Sequence, residues 1–212
     1  MSARDGILAA IRKGLGTPRP TPNAVAAEAA SLLEAPDTTR PRLAAATLPE
    51  AFVAKAELLG TTLDRVASIA EVPQAVRRYL DGQGLSPAIA LQPAPEFEAA
   101  DWSPVSAHAG IAPDEPAAVG LADWGIAESG SLVVHSGRRA PILLSFLPLH
   151  HIVVLRESTL LPHLEDYAAR LDVSSTPRNA ILITGPSGTT DIEGSYVRGA
   201  HGPGFVHVIM AA

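Results

Sequence analysis

Three observations predict an α/β fold on a largely parallel sheet. From Pro49 onward, helical and strand-like stretches alternate along the chain. Short apolar runs such as Ala88–Leu91 read as buried strands, and Gly-, Pro- or Asp-rich segments separate them. A length of 212 residues with 47% hydrophobic residues and a mean hydropathy of +0.18 supplies one ordinary core without disulfides or structural metals. The organisation expected is an N-terminal helix and linker over 1–48, followed by one α/β domain over 49–212.

Taken in order, residues 2–14 carry Ile7, Leu8, Ile11 and Leu15 on one helical stripe, with Ser2 as N-cap and Gly14 and Gly16 as stops. The stripe suits docking either on a second subunit or on the chain's own domain. Thr17–Pro49 is rich in Pro, Ala and Thr and reads as an irregular connector with room for one helical turn around Ala24–Leu33. Glu50–Leu59 is expected to be helical and Thr62–Ser68 extended. Val72–Leu80 follows as a helix stopped by Asp81-Gly82. Ala118–Ala127 and Ser131–His135 read as paired strands around a tight turn, and Pro141–Phe146 as a short helix entered through proline. His151–Leu155 is a strand, Ser158–Leu171 mostly helical, and Ala180–Thr184 and Phe205–Met210 strands.

Composition narrows the chemistry. The chain has no cysteine, which removes disulfides, thiolate zinc sites, cysteine nucleophiles and cysteine-ligated iron–sulfur clusters. A formal charge of −6 argues against a general nucleic-acid binder, because neutralising phosphates needs a basic stripe. No run is long and apolar enough for a membrane span, and the first residues lack a signal-peptide pattern, so a cytoplasmic protein is expected. The only lysines are Lys13 and Lys55, which leaves no phosphate-loop or Schiff-base lysine later in the chain.

Three glycine-rich polar segments each border an apolar strand: Gly125–Ser131, Thr184–Glu193 and Gly199–Gly204. Ligands of open α/β sheets gather beyond the carboxyl ends of strands, and the segment after Ala180–Ile183 is expected at such a place. Gly185, Ser187, Gly188, Thr189 and Thr190 offer amides and hydroxyls suited to an anion-binding nest or to a plain connecting loop. Asp191 and Glu193, two residues apart, would share one side of a strand. With His201 they would form an acid–base or oxygen-rich metal site; otherwise Asp191 caps a turn and Glu193 is solvated. Glu128, followed by Ser129 and Gly130, is a candidate functional carboxylate or a turn residue. His150 and His151 are adjacent and must face opposite sides of a strand, while His207 reads as a packed strand residue. His135 and His201, at strand ends, are the better site candidates, although no histidine shows zinc spacing.

The runs Gly185-Pro186-Ser187-Gly188-Thr189-Thr190-Asp191-Ile192-Glu193, Gly199-Ala200-His201-Gly202-Pro203 and Val206-His207-Val208-Ile209 resemble the C-terminal signature of the lactate-utilisation C family, also called LUD-domain or YkgG-type proteins. Ala127-Glu128-Ser129-Gly130-Ser131 looks like that family's Ala-Glu-Thr-Gly-Thr motif with serine for each threonine, and Leu147-Pro148 before His150–Val154 matches its strand entry. The similarity covers about residues 50–212. One departure is Gly188, where the family usually has a basic residue.

The resemblance implies a three-layer α/β/α fold related to the NagB/RpiA/CoA-transferase group. It also implies a role beside LutA-like and LutB-like iron–sulfur partners in oxidising L-lactate to pyruvate, with no cofactor in this chain. The leading expectation is an accessory subunit with a small anionic-ligand pocket, in which Glu128, Asp191 and His201 are catalytic and Ser129, Gly130, Gly185, Ser187, Gly188, Thr189, Thr190 and Glu193 bind the ligand. The alternatives are a stand-alone enzyme of transferase, isomerase or cyclo-ligase type, with Glu128-Ser129-Gly130 in a Glu-x-Gly setting, and a pure interaction module.

Overall fold

The computed structural model describes residues 2–16, 20–34, 40–172, 174, 177–190 and 192–212. The chain divides into two units, Met1–Pro41 and Arg42–Ala212. In the first, α1 (Ala3–Leu15) starts at a capping box. Asp5 N–H donates to Ser2 Oγ at 3.3 Å, and Ser2 N–H donates to the Asp5 carboxylate at 3.0 Å. Gly14 stays within the helix, and Gly16, at φ 64°, ends it. Ile7, Ile11 and Leu15 are all exposed. The linker holds more structure than one turn: α2 runs over Pro22–Glu34. Pro22 suits the first helical turn, Thr21 Oγ1 accepts from Ala24 N–H at 3.2 Å, and the alanines that follow are strong helix formers.

The second unit is built on a six-stranded, wholly parallel sheet. Its strands are β1 (Thr62–Val66), β2 (Ala88–Leu91), β3 (Ser106–His108), β4 (Ala117–Leu121), β7 (His150–Arg156) and β12 (Phe205–Ala211), in the order β1-β12-β7-β4-β2-β3. Alternation along the two central strands sorts the core onto two faces. Ile152, Val154 and Ile209 meet Val72, Ala75, Val76 and Leu80 of α4 (Val72–Gln83) on one face. Val153, Leu155, Val208 and Met210 meet Ala51, Phe52 and Ala56 of α3 (Leu48–Leu58) on the other. Thr47 caps α3, with Glu50 N–H donating to its hydroxyl at 3.4 Å. The result is a mixed α/β unit with a mainly parallel central sheet flanked by helices.

A second sheet lies on the α3 side, in the order β8-β5-β6-β9: β5 (Trp124–Ile126), β6 (Ser131–His135), β8 (Leu160–Leu161) and β9 (Ala180–Ile183). Three expectations are corrected here. The Ala118–Ala127 run is two strands in two sheets, because Ala122 N–H bonds to Val154 O whereas Asp123 N–H bonds to Val133 O, each at 2.9 Å. Ser158–Leu171 is not one helix. Pro162 holds the preceding residue extended, Leu160 and Leu161 pair with β5, and only α6 (Leu164–Ala168) is α-helical. Asp81-Gly82 does not stop α4, which continues to Gln83 and ends on Gly84 at φ 66°. Between β2 and β3 lies the short α5 (Pro95–Glu98), and a β-hairpin of β10 (Gly188–Thr190) and β11 (Tyr196–Arg198) precedes β12.

Candidate functional site

The three glycine-rich segments meet in sequence rather than at one point. Residues 127–130 turn the chain from β5 into β6, and Gly130 packs its bare Cα against the α3 backbone. Ser129 and Ser131 share a hydroxyl hydrogen bond of 2.8 Å, and Ser131 shares another of 2.7 Å with Thr184. That relay ties the first segment to the second. Ser131 is buried, so Ser131→Ala removes two hydrogen bonds and is expected to cost about 1–2 kcal/mol in urea unfolding, against less for the more accessible Ser129→Ala. Equal losses for the two variants would rule out a buried relay.

The second segment is tied to the third through backbone. Ser187 N–H donates to Pro203 O at 2.8 Å, and Gly199 N–H donates to Ser187 O at 2.9 Å. Gly185, at φ 89°, leaves room for the carbonyl of Leu59 just beyond α3. These contacts place the second and third segments before β12, at the amino edge of the parallel sheet. The expected position at a carboxyl end is thereby corrected: Ala180–Ile183 belongs to the second sheet, pairing antiparallel with β6.

The individual side chains are dispersed. Glu128 Oε1 accepts the N–H of Leu164 at 2.7 Å, so this carboxylate caps the first turn of α6. His201 is exposed and lines a cavity of about 560 Å³ with Asp114, Glu115 and Phe146–Leu149. Glu115, 5% exposed, accepts from Ala112 N–H at 3.2 Å and lies 3.4 Å from His108 Nε2. Two carboxylates beside one histidine make this amino-edge cavity unfavourable for a bare anion. Thr189 is half-buried, Thr190 exposed, and Gly188 faces Tyr196 so closely that any side chain there would strike its ring. Asp191 lies outside the described residues. Glu193 is exposed in the turn between β10 and β11, beyond the strand that ends at Thr190. Among the described residues, no three His, Asp or Glu side chains converge in a metal-binding group.

A column of rings at the same edge carries more interactions than any of these. The Arg198 guanidinium lies 4.4 Å over Phe205, and its Nε–H donates to Gly204 O. Phe205 stacks on His150 at 4.3 Å. The Tyr79 hydroxyl meets His150 Nδ1 at 2.8 Å, and the Tyr79 ring stacks on His207 at 4.2 Å. His207 Nδ1 meets Thr62 Oγ1 at 2.8 Å. Burial pushes the Tyr79 hydroxyl up to about 12, against the pull of the Arg198 cation. Burial, helped by the same cation, lowers His150, and burial lowers His207 to about 4 despite Asp64. On the opposite side of β7, His151 is lowered to about 4 by burial alone. Sequence reasoning separated the two adjacent histidines correctly and read His207 as packed. It missed Tyr79 and Arg198, although Arg198 is the sole arginine or lysine after Arg178. Arg198 stands directly across from Gly188 in the β10–β11 register, so a cation is present one strand away from the position where the glycine lacks it.

A LUD domain model matches residues 116–211. A "Lactate utilization protein C" of Geobacillus kaustophilus (strain HTA426) is 33% identical over 159 residues, covering 70% of this chain and 66% of that protein. The Escherichia coli (strain K12) protein YkgG is 36% identical over 115 residues, covering 51% and 50%. The chain spans about half the length of most curated relatives it matches, as with the 47% of the Anoxybacillus flavithermus "Lactate utilization protein C". Among solved structures, a DUF162 family protein from Deinococcus radiodurans shares the fold with a TM-score of 0.53 at 17% identity, over 79% of this chain and 100% of that one.

Proposed function

The chain belongs to the LUD-domain family of lactate-utilisation C and YkgG-type proteins, and from that premise we propose that it serves lactate utilisation as an accessory subunit of a lactate-oxidising assembly. The observation that carries this reading is the 33% identity over 159 residues to a protein named for lactate utilisation. Oxidation of L-lactate to pyruvate releases two electrons and two protons, and an acceptor must take them. A chain without cysteine cannot ligate an iron–sulfur cluster through thiolates, so cluster-bearing partners of LutA-like and LutB-like type suit the electron-carrying role. The geometry agrees with a supporting rather than a nucleophilic part for Glu128, whose Oε1 is committed to α6. No described helix is long and apolar enough to cross a membrane.

The test is an affinity pull-down of tagged protein from cells grown on L-lactate, with iron, acid-labile sulfide and lactate-dependent dye reduction assayed in the eluate. Cluster proteins and activity eluting together support the subunit reading. Deletion of the gene leaving growth on L-lactate unchanged, together with elution of the protein alone, overturns it.

A further inference from the structure

The opposite, carboxyl edge of the parallel sheet holds a second cavity, of about 500 Å³, that none of the glycine-rich segments reaches. Its lining includes Gln92, Glu96, Asp123, His135, Arg138 and Arg139. Gln92 follows β2, Asp123 lies just beyond β4, and Arg156, which pairs with Glu96 at 3.2 Å, ends β7. Loops at this edge of an open parallel sheet converge without strand backbone to fill the space, which is why ligands collect there.

We propose that this cavity binds a small phosphate or phosphate ester through Arg138 and Arg139. The two arginines form the tip of a closed turn: Gly137 N–H donates to Ala140 O at 3.0 Å, and Ala140 N–H donates back to Gly137 O at 3.2 Å. The turn is anchored at its base, where Ser136 N–H donates to Asn179 O at 2.9 Å and Asn179 N–H donates to Ser136 Oγ at 3.1 Å. Both residues thus line the cavity from a restrained backbone. Neither makes an ion pair among the described residues, although the protein as a whole carries a charge of −6.

The nearby carboxylates are already engaged. Asp123 Oδ2 accepts the backbone N–H of His135 at 2.7 Å, and Glu96 is held by Arg156. The lining itself carries two arginines and two carboxylates, and Arg156, which neutralises Glu96 from outside it, leaves one positive charge over among these five groups. Arg178 lines an adjoining cavity that shares Arg138 and strengthens that excess. The floor supplies a donor as well. Gln92 Oε1 is consumed by Leu121 N–H at 2.9 Å, which leaves the Nε2 amide without a partner among the described residues. Planar guanidinium forks match the oxygens of a phosphoryl group two at a time, and the Gln92 amide and the second oxygen of Asp123 suit a hydroxyl on the remainder of an ester. The amino-edge cavity, with Asp114 and Glu115 on its wall, offers no such surplus of cations.

This site stands whether or not the lactate assignment holds, and binding to the purified chain tests it without any partner. Calorimetric titration of the full chain with pyrophosphate, inorganic phosphate and malonate in a low-chloride buffer compares wild type, Arg138→Ala/Arg139→Ala and Arg198→Ala. The expected result is saturable one-to-one binding of phosphate or pyrophosphate, weakened about thirtyfold or more in the double variant and unchanged in Arg198→Ala at the far edge. Both turn residues are exposed, so the double variant should melt with the wild type, which a thermal scan verifies. No saturation at about 10 mM of either phosphate probe, a Kd in the millimolar range being the weakest that such contacts would give, overturns the proposal. Tighter binding of malonate than of phosphate, or equal affinity in the double variant, overturns it too.

Discussion

Lowering the pH from about 7 to about 4.5 is expected to remove about 2–3 kcal/mol of folding stability for each of His151 and His207. Both rings are almost fully buried, at 1% and 6% exposure, and both are lowered from 6.5 to about 4 by burial. Each ring is neutral in the folded protein at a pH where the unfolded chain has already taken up a proton. The unfolded state therefore binds more protons between 6.5 and about 4, and stability falls as pH falls through that window. At pH 7 the stabilisation relative to a protonated unfolded chain is fully present; below about 4 it is gone, at a total of about 3 kcal/mol per ring. Two such rings match much of a typical domain's stability, so the protein should unfold in mild acid well above the titration of its carboxylates. His150, lowered by burial and by Arg198, acts in the same direction. Urea midpoints measured across this range check the prediction, and His207→Asn should flatten the curve because its amide can keep the bond to Thr62. A midpoint independent of pH from 7 to 4.5 would contradict the burial of both rings.

Gly130→Ala should be the most damaging single methyl group in the protein, at about 3 kcal/mol or more. Two effects coincide there. The residue sits at φ 67°, and a Cβ would stand 2.5 Å from the backbone nitrogen of Ala56 in α3. That neighbour is main chain inside a helix, so it cannot swing aside as a flexible side chain would. Gly110 provides the comparison, since it also has a positive φ, of 86°, but open space around its Cα. Gly110→Ala should cost only the left-handed strain, about 1–2 kcal/mol, and the difference between the two variants measures the contact with α3. Equal losses would mean that the second sheet is not seated against α3 as described.

The glycine was visible in the sequence as part of a turn, but its contact with Ala56 was not, and the same division runs through the molecule. Features written within a few residues were legible: the Ser2 cap, the helix after Pro49, the opposite faces of His150 and His151, and the apolar strands His151–Leu155 and Phe205–Met210. Features decided by distant partners were not. The apolar run through Ala122 gives no local sign that Val154 claims one amide and Val133 the next. Leu160 and Leu161 look helical until Gly125 and Ile126 pair with them. The glycine-rich segments were found as motifs, and their linkage through Ser131, Thr184 and Ser187 follows only from the fold. Arg138-Arg139 drew no notice because two exposed arginines acquire meaning from the cavity beside them.

The position of β12 governs when the parallel sheet can close. This strand follows all the others of its sheet in chain order yet lies between β1 and β7, and its Val208, Ile209 and Met210 side chains are wholly buried. Until it emerges, β1 has no neighbour in the sheet and β7 is paired along one edge only. The core therefore closes only once Phe205–Ala211 has emerged, and nascent chains wait until then with apolar strand edges exposed. Chaperone occupancy during synthesis should consequently persist until β12 has emerged rather than decline as the first helices and strands appear.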